Sequence, residues 1–161
     1  MRAAIITVST SVAAGRREDL SGRVLAKRAQ AAGAEVVAQE VVPDDRAAIE
    51  EALRRHCGSQ ARTALVFTTG GTGLTPDDVT PEATKAVIER EVPGIAEALR
   101  TESRKYTPMG MLSREVAGAV GETLIVNFPG SPKAVEQLFV VLAPVLEHAV
   151  GLLRREHGSS H

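Results

Sequence analysis

Val66-Phe67-Thr68-Thr69-Gly70-Gly71-Thr72-Gly73-Leu74-Thr75-Pro76-Asp77-Asp78-Val79-Thr80-Pro81-Glu82 is the stretch whose reading decides the fold. The apolar run Ala64 to Phe67 reads as a buried strand. It ends in two threonines and a cluster of glycines, whose backbone can turn its N–H groups toward a ligand and let that ligand approach closely. Two adjacent carboxylates follow, Asp77 and Asp78. Thr80-Pro81-Glu82 then has the form of a helix start: a capping hydroxyl, proline at the first helical position and an acid in the first turn. Strand, anion-binding donors, metal-binding acids and helix thus succeed one another, an order that suits a nucleotide with its magnesium.

Two familiar phosphate loops are excluded. A Walker-type loop needs Gly-Lys-Ser/Thr after its spacer, and Gly73 is followed by Leu74 and Thr75. A dinucleotide fingerprint needs a small residue where Pro76 stands, and a helix that starts at once. Read alone, the glycines fit a tight turn as well as a phosphate cradle.

Outward from that stretch, strands and helices alternate. Ala3 to Val8 reads as an interior strand ending in Ser9-Thr10-Ser11. Leu20 to Ala32 is an amphipathic helix with Leu20, Val24, Leu25 and Ala29 on its inner face, and Gly33 stops it. A second strand, Ala34 to Val42, ends at Pro43-Asp44-Asp45, where Asp44 is placed to cap a helix from Ala47 to Cys57. Gly58 to Thr63 reads as a turn. After the glycine loop come a helix from Pro81 to about Arg90, a break at Pro93-Gly94, a further helix to about Tyr106, and a short helical turn over Met109 to Arg114. Val116 to Val120 and Thr123 to Val126, around Gly121-Glu122, form an expected hairpin, so one strand runs antiparallel. Asn127 to Lys133 is a second loop of interest, and the helix after it is divided by Pro144. The expected fold is α/β, a three-layer sandwich with a mainly parallel sheet and helices on both faces. One domain spans 1–156 and a frayed tail 157–161. In such sheets ligands bind beyond the carboxyl ends of strands. Four loops reach that edge: Ser9 to Ser11, Pro43 to Asp45, Thr69 to Asp78, and Asn127 to Lys133.

Composition narrows the partners. Net charge is −1, so there is no global field to attract DNA or an acidic membrane. Aromatics are 2%, too few to build stacking platforms for single-stranded nucleic acid, and the core must be aliphatic. The single cysteine, Cys57, excludes an intramolecular disulfide and a cysteine-rich zinc site. Met1-Arg2-Ala3-Ala4-Ile5 leads straight into the first strand, and no apolar run looks long enough to span a bilayer. The expected compartment is the cytoplasm, with neither nucleic acid nor membrane as partner.

Thr68-Thr69-Gly70-Gly71-Thr72-Gly73, the segment Asp78-Val79-Thr80-Pro81-Glu82-Ala83-Thr84 and Pro129-Gly130-Ser131-Pro132-Lys133-Ala134-Val135, in that order, resemble the molybdenum cofactor biosynthesis domain family. The resemblance covers nearly the whole chain and is to the Mog-type molybdopterin adenylyltransferases and the related gephyrin G domain. It implies adenylyl transfer from ATP to the phosphate of molybdopterin, with magnesium, giving adenylylated molybdopterin and pyrophosphate. It also implies a homotrimer and a downstream molybdenum insertion protein. The family's acidic positions match Asp44 and Asp78, which would be catalytic and hold the metal. Its glycine loop, for nucleotide phosphates, matches Thr69, Gly70, Gly71, Thr72 and Gly73. Molybdopterin-binding positions match Ser9, Ser113, Arg114, Pro129, Gly130, Ser131 and Lys133. Many members carry an acidic triplet such as Ser-Asp-Arg after the first strand, where this chain has Ser9-Thr10-Ser11. A non-catalytic binder of molybdopterin or nucleotide is the alternative that the same domain type allows.

Overall fold

The computed structural model describes residues 1–58 and 63–155. Six strands form one sheet in these residues: β1 (Arg2–Val8), β2 (Glu35–Val42), β3 (Leu65–Thr69), β4 (Arg90–Glu91), β5 (Ala117–Val120) and β6 (Thr123–Phe128), in the spatial order β2-β1-β3-β6-β5-β4. β1 pairs in parallel with β2 and β3, and β3 with β6, while β5 is antiparallel to both its neighbours. The three-layer α/β architecture and the hairpin are therefore present as expected. The strand that the pattern did not reveal is β4, two exposed residues on the edge with no apolar alternation to mark them.

Helices cover both faces because the central strands are apolar on both sides. On one face α2 (Leu20–Ala31), α5 (Pro93–Ser103), α6 (Pro132–Leu142) and α7 (Leu146–Leu153) surround Ile5, Phe67, Val126 and Phe128. On the other, α3 (Arg46–Cys57) and α4 (Thr80–Val87) cover Ile6, Val66 and Ile125. Phe67, Phe128 and Phe139 form an edge-and-stack cluster between sheet and α6, with centroids 5.5–5.9 Å apart. The segment 132–153 is long and apolar enough, by length and composition alone, to cross a membrane, which corrects the expectation that no such run exists. Its Val135, Leu138, Phe139, Leu142, Leu146 and Val150 face the core, and a 3₁₀ turn at Ala143–Val145 breaks it at the proline.

Several boundaries move for physical reasons. Leu20 is 52% exposed: it is the first residue of α2, and the buried face of that helix is made by Ser21, Gly22, Leu25, Ala26 and Ala29. Thr80 is the first residue of α4 rather than its cap, and its hydroxyl donates to the Gly70 carbonyl at 2.9 Å. Pro93 opens α5, and the short helical turn is a 3₁₀ helix at Pro108–Leu112. The turn expected after Gly58 and the tail at 157–161 fall wholly or partly outside the described residues. Asn127 and Phe128 belong to β6 and are fully buried, so the second loop begins at Pro129. Asn127 accepts from the Val116 amide at 3.0 Å and donates to the hydroxyls of Thr68 and Thr84 at 2.9 and 3.0 Å.

Candidate active site

Register brings the strand ends together: Thr7 lies beside Thr69 and Val41, and Thr69 beside Phe128. The loops that leave these strands converge at the carboxyl edge, where the chain switches direction between β1 and β3. They enclose a cleft of about 290 Å³ walled by Ser9, Asp44, Thr69, Gly70, Gly71, Asp78 and Gly130, together with Thr7, Arg17, Asp19 and Ser21. A larger hollow of about 550 Å³ lies at the opposite end of the sheet around Cys57, Thr63 and Gly121, and Glu122 is its one lining acid among the described residues. The paired carboxylates are in the smaller cleft.

Both expected acids are half-buried in its wall, and each is held in the same way. Asp44 Oδ2 accepts from the amide and the hydroxyl of Thr10, each at 3.0 Å. Asp78 Oδ2 accepts from the amide and the hydroxyl of Thr75, each at 2.9 Å. The Oδ1 oxygen of each has no hydrogen-bond partner among the described residues. The cap of α3 is Asp45, which accepts from Ala48 N at 2.9 Å, so the expectation that Asp44 caps that helix is corrected. An Asp immediately before the helix takes the capping position and leaves its neighbour to face the cleft.

The glycine loop is bent by Gly70 and Gly71, with φ of +100° and +69°. A Cβ at Gly70 would lie 2.3 Å from the Val8 carbonyl, and one at Gly71 would lie 2.3 Å from the Thr80 hydroxyl, so no side chain fits either position. The amides of Gly71, Thr72 and Gly73 donate to no described residue, which leaves three consecutive N–H groups for an anion. Thr69 and Thr72 themselves are buried. The Thr69 hydroxyl donates to Pro129 O at 2.7 Å and joins the two loops, while Thr72 lies behind the loop.

Arg114 also stands behind the loop. Its Nε donates to Gly73 O (2.9 Å), its Nη2 to Asp78 O (2.8 Å), and its Nη1 pairs with Glu82 (2.7 Å). Its own amide donates to Thr72 O at 2.8 Å. A guanidinium so engaged fastens the loop. Ser9 caps the short helix α1 (Thr10–Ala13) and Ser131 caps α6. Pro129 is half-buried, and Gly130 approaches Gly70 so closely that a Cβ there would lie 3.3 Å from Gly70 Cα. Lys133 is exposed on the first turn of α6, next to the cleft-lining Pro132.

Sequence reasoning missed Arg17 and Asp19 in the cleft wall. Asp19 caps α2 through Gly22 N at 3.0 Å and accepts from the Thr7 hydroxyl at 2.9 Å. The signal was Gly22: a glycine inside a helix weakens it unless something comes close. Here a Cβ would fall 2.3 Å from Thr7 Oγ1 and 2.4 Å from an Asp19 oxygen.

Comparison with known proteins matches residues 4–148 to a family described as a probable molybdopterin binding domain. The chain is 36% identical to molybdopterin adenylyltransferase of Helicobacter pylori over 159 residues, covering 92% of this chain and 85% of that one. It is 37% identical to the Drosophila melanogaster molybdenum cofactor synthesis protein cinnamon, of which it spans 25%, with 92% of this chain covered. It spans 48% of a molybdenum cofactor biosynthesis bifunctional protein of Chlorobaculum tepidum, at 35% identity over 95% of this chain. Among solved structures, the molybdopterin biosynthesis enzyme MoaB of Thermus thermophilus superposes with a TM-score of 0.88 at 43% identity, covering 94% of this chain and 95% of that one.

Proposed function

Since the chain belongs to the family of probable molybdopterin binding domains, we propose that it acts in molybdenum cofactor biosynthesis as a molybdopterin adenylyltransferase. It transfers the adenylyl group of ATP to the phosphate of molybdopterin and releases pyrophosphate. A phosphate oxygen of molybdopterin bonds to the α-phosphorus of ATP, and the bond from that phosphorus to the bridging oxygen breaks as pyrophosphate leaves. The nucleophile comes with the substrate, in keeping with a cleft whose walls, among the described residues, include no cysteine or histidine. Such transfers depend on positioning and charge neutralisation more than on covalent chemistry by the protein.

The observation that carries this reading is the matched pair Asp44 and Asp78: two of the four acidic residues lining the cleft, each with one oxygen fixed on a threonine and the other without a hydrogen-bond partner among the described residues. Two hard oxygen donors suit magnesium, which takes one or two carboxylates and completes its shell with phosphate oxygens and water. When bound there, magnesium neutralises charge on the phosphates. Asp44 and Asp78 would hold it, the amides of Gly71 to Gly73 would cradle a phosphate, and Arg17 and Lys133 would supply cationic charge at the rim. The Chlorobaculum relative, named bifunctional, supports a partner function in the same pathway that receives the product. A homotrimer is part of this reading, and the apolar groove between α5 and α7, lined by Ile95, Val145 and Leu152, offers it a contact face.

Incubation of the protein with ATP, magnesium and molybdopterin, with products identified by mass, is the test. Adenylylated molybdopterin and pyrophosphate in equal amounts are expected, and omission of magnesium abolishes both. Release of ADP or inorganic phosphate without an adenylylated product sinks the proposal.

A further inference from the structure

Glu115 is a carboxyl side chain at 2% exposure, on the segment that joins the 3₁₀ helix to β5. Its Oε2 accepts a hydrogen bond from the Ser113 hydroxyl. Its Oε1 is buried without any partner among the described residues. Arg100 on α5 gives little relief, because it donates to the carbonyls of Ser113 (3.4 Å) and Glu115 (3.0 Å) rather than to the carboxyl. Arg114 is engaged with Gly73, Asp78 and Glu82, and the buried polar side chains of the adjoining loop and β6, Thr72 and Asn127, are neutral. Burial therefore dominates and pushes the carboxyl up to about 7, against smaller opposing effects of a backbone hydrogen bond and Arg100.

Ser113 connects this carboxyl to the glycine loop. Its Oγ lies within reach of Glu115 Oε2 and 3.5 Å from Thr72 Oγ1, and a hydroxyl has one hydrogen to give. An ionised carboxylate accepts that hydrogen. A neutral carboxyl can donate to Ser Oγ instead, which frees the serine hydrogen for Thr72. We infer that Glu115 is a positioning residue for the glycine loop: when neutral it turns the Ser113 hydroxyl onto Thr72 and holds the loop ready for an anion, and when ionised it withdraws that bond. The amides of Gly71, Thr72 and Gly73 thereby keep their arrangement best on the acid side of neutrality. The inference rests on the glycine loop being an anion site, as in the proposed function, but not on the reaction catalysed there.

Inorganic pyrophosphate is the probe, so the outcome is independent of turnover. Its affinity is measured across pH for the wild type, Glu115→Gln, Ser113→Ala and the double variant. The wild-type to Glu115→Gln ratio removes pyrophosphate's own ionisation. That ratio is expected to fall on the order of 3- to 10-fold between pH ~6 and ~8, the worth of about one hydrogen bond. A ratio constant with pH overturns the inference. In the Ser113→Ala background the ratio should be flat, and a slope that persists there means that the charge acts without Ser113, which overturns it too.

Melting curves give a second reading. A folded-state pKa raised from 4.5 to about 7 stabilises fully below 4.5, and this stabilisation is lost as pH rises through about 7. The wild type should lose melting temperature over that window relative to Glu115→Gln, and parallel curves count against the inference. Should the glutamine variant fail to fold, carboxyl carbon NMR of the wild type decides. By reciprocity, saturating pyrophosphate must raise the Glu115 pKa, and an unmoved titration refutes the coupling.

Discussion

The Asp44 loop and the Asp78 loop present the same device built in two ways. Asp78 finds its threonine three positions earlier in its own turn, whereas Asp44 finds Thr10 across the sheet edge, 34 positions away. The Asp78 loop is also fastened from behind by Arg114 and Thr80. Among the described residues the Asp44 carboxylate is held by Thr10 alone, at the start of a four-residue helix. One carboxylate is therefore set by local chain geometry and the other by the assembled sheet. Local geometry survives small perturbations of the fold, and apposition does not.

The largest effect should come from removing the charges themselves. Asp78→Asn and Asp44→Asn keep side-chain shape and an oxygen for the threonine, and replace the unengaged oxygen with an amide. Each is expected to lower the single-turnover adenylylation rate on the order of a hundredfold or more, with the melting curve nearly unmoved. Wild-type turnover in either variant would break the equivalence of the two acids. Because Asp45 and not Asp44 caps α3, loss of a cap does not enter the comparison.

Next in size is the fastening of the Asp78 loop. Arg114→Ala removes donors from two carbonyls and leaves Glu82 unpaired. The expected loss is about 2 kcal/mol of stability, moderated by the partial exposure of the pair, and a tenfold order of decrease in turnover. Arg114→Lys should recover little, since an ammonium cannot span the three sites of a fork. Denaturant melts alongside single-turnover rates check this, and full rescue by lysine would show that charge alone matters.

The smallest effect distinguishes the threonines. Thr75→Val removes one hydrogen bond to Asp78, while Thr10→Val removes two, because Thr10 Oγ1 also accepts from the Asp44 amide at 3.0 Å. Thr10→Val should therefore cost up to about 1 kcal/mol more in denaturant melts. Equal losses would mean that the second hydrogen bond of the Thr10 hydroxyl adds nothing to stability.

The same division between local and assembled explains what the sequence made legible. The strand-end glycines, the Ser131-Pro132 helix start and the break at Pro144 are local chemistry, and each appears where the residues place it. Convergence of four loops followed from alternating strands and helices alone. What could not be read depends on partners distant in the chain: which of Asp44 and Asp45 caps, where the Arg114 guanidinium goes, and that Glu115 is buried. A two-residue strand such as β4 carries no periodicity and is visible only through its pairing with β5.

Asn127 has a consequence for how the sheet finds its alignment. β3 and β6 are buried along their full length, so a slip of one residue would exchange one set of aliphatic side chains for another with little hydrophobic penalty. The alternation that fixes register in a one-sided sheet is absent from such a pair. The amide of Asn127 restores the distinction, since its bonds to Thr68, Thr84 and Val116 form together in one alignment. Any shifted pairing strands those polar groups in an aliphatic interior, at a cost of roughly 1–3 kcal/mol for each. A single polar side chain thus penalises misalignment of two strands, and through them sets where Gly70 and Pro129 emerge at the edge.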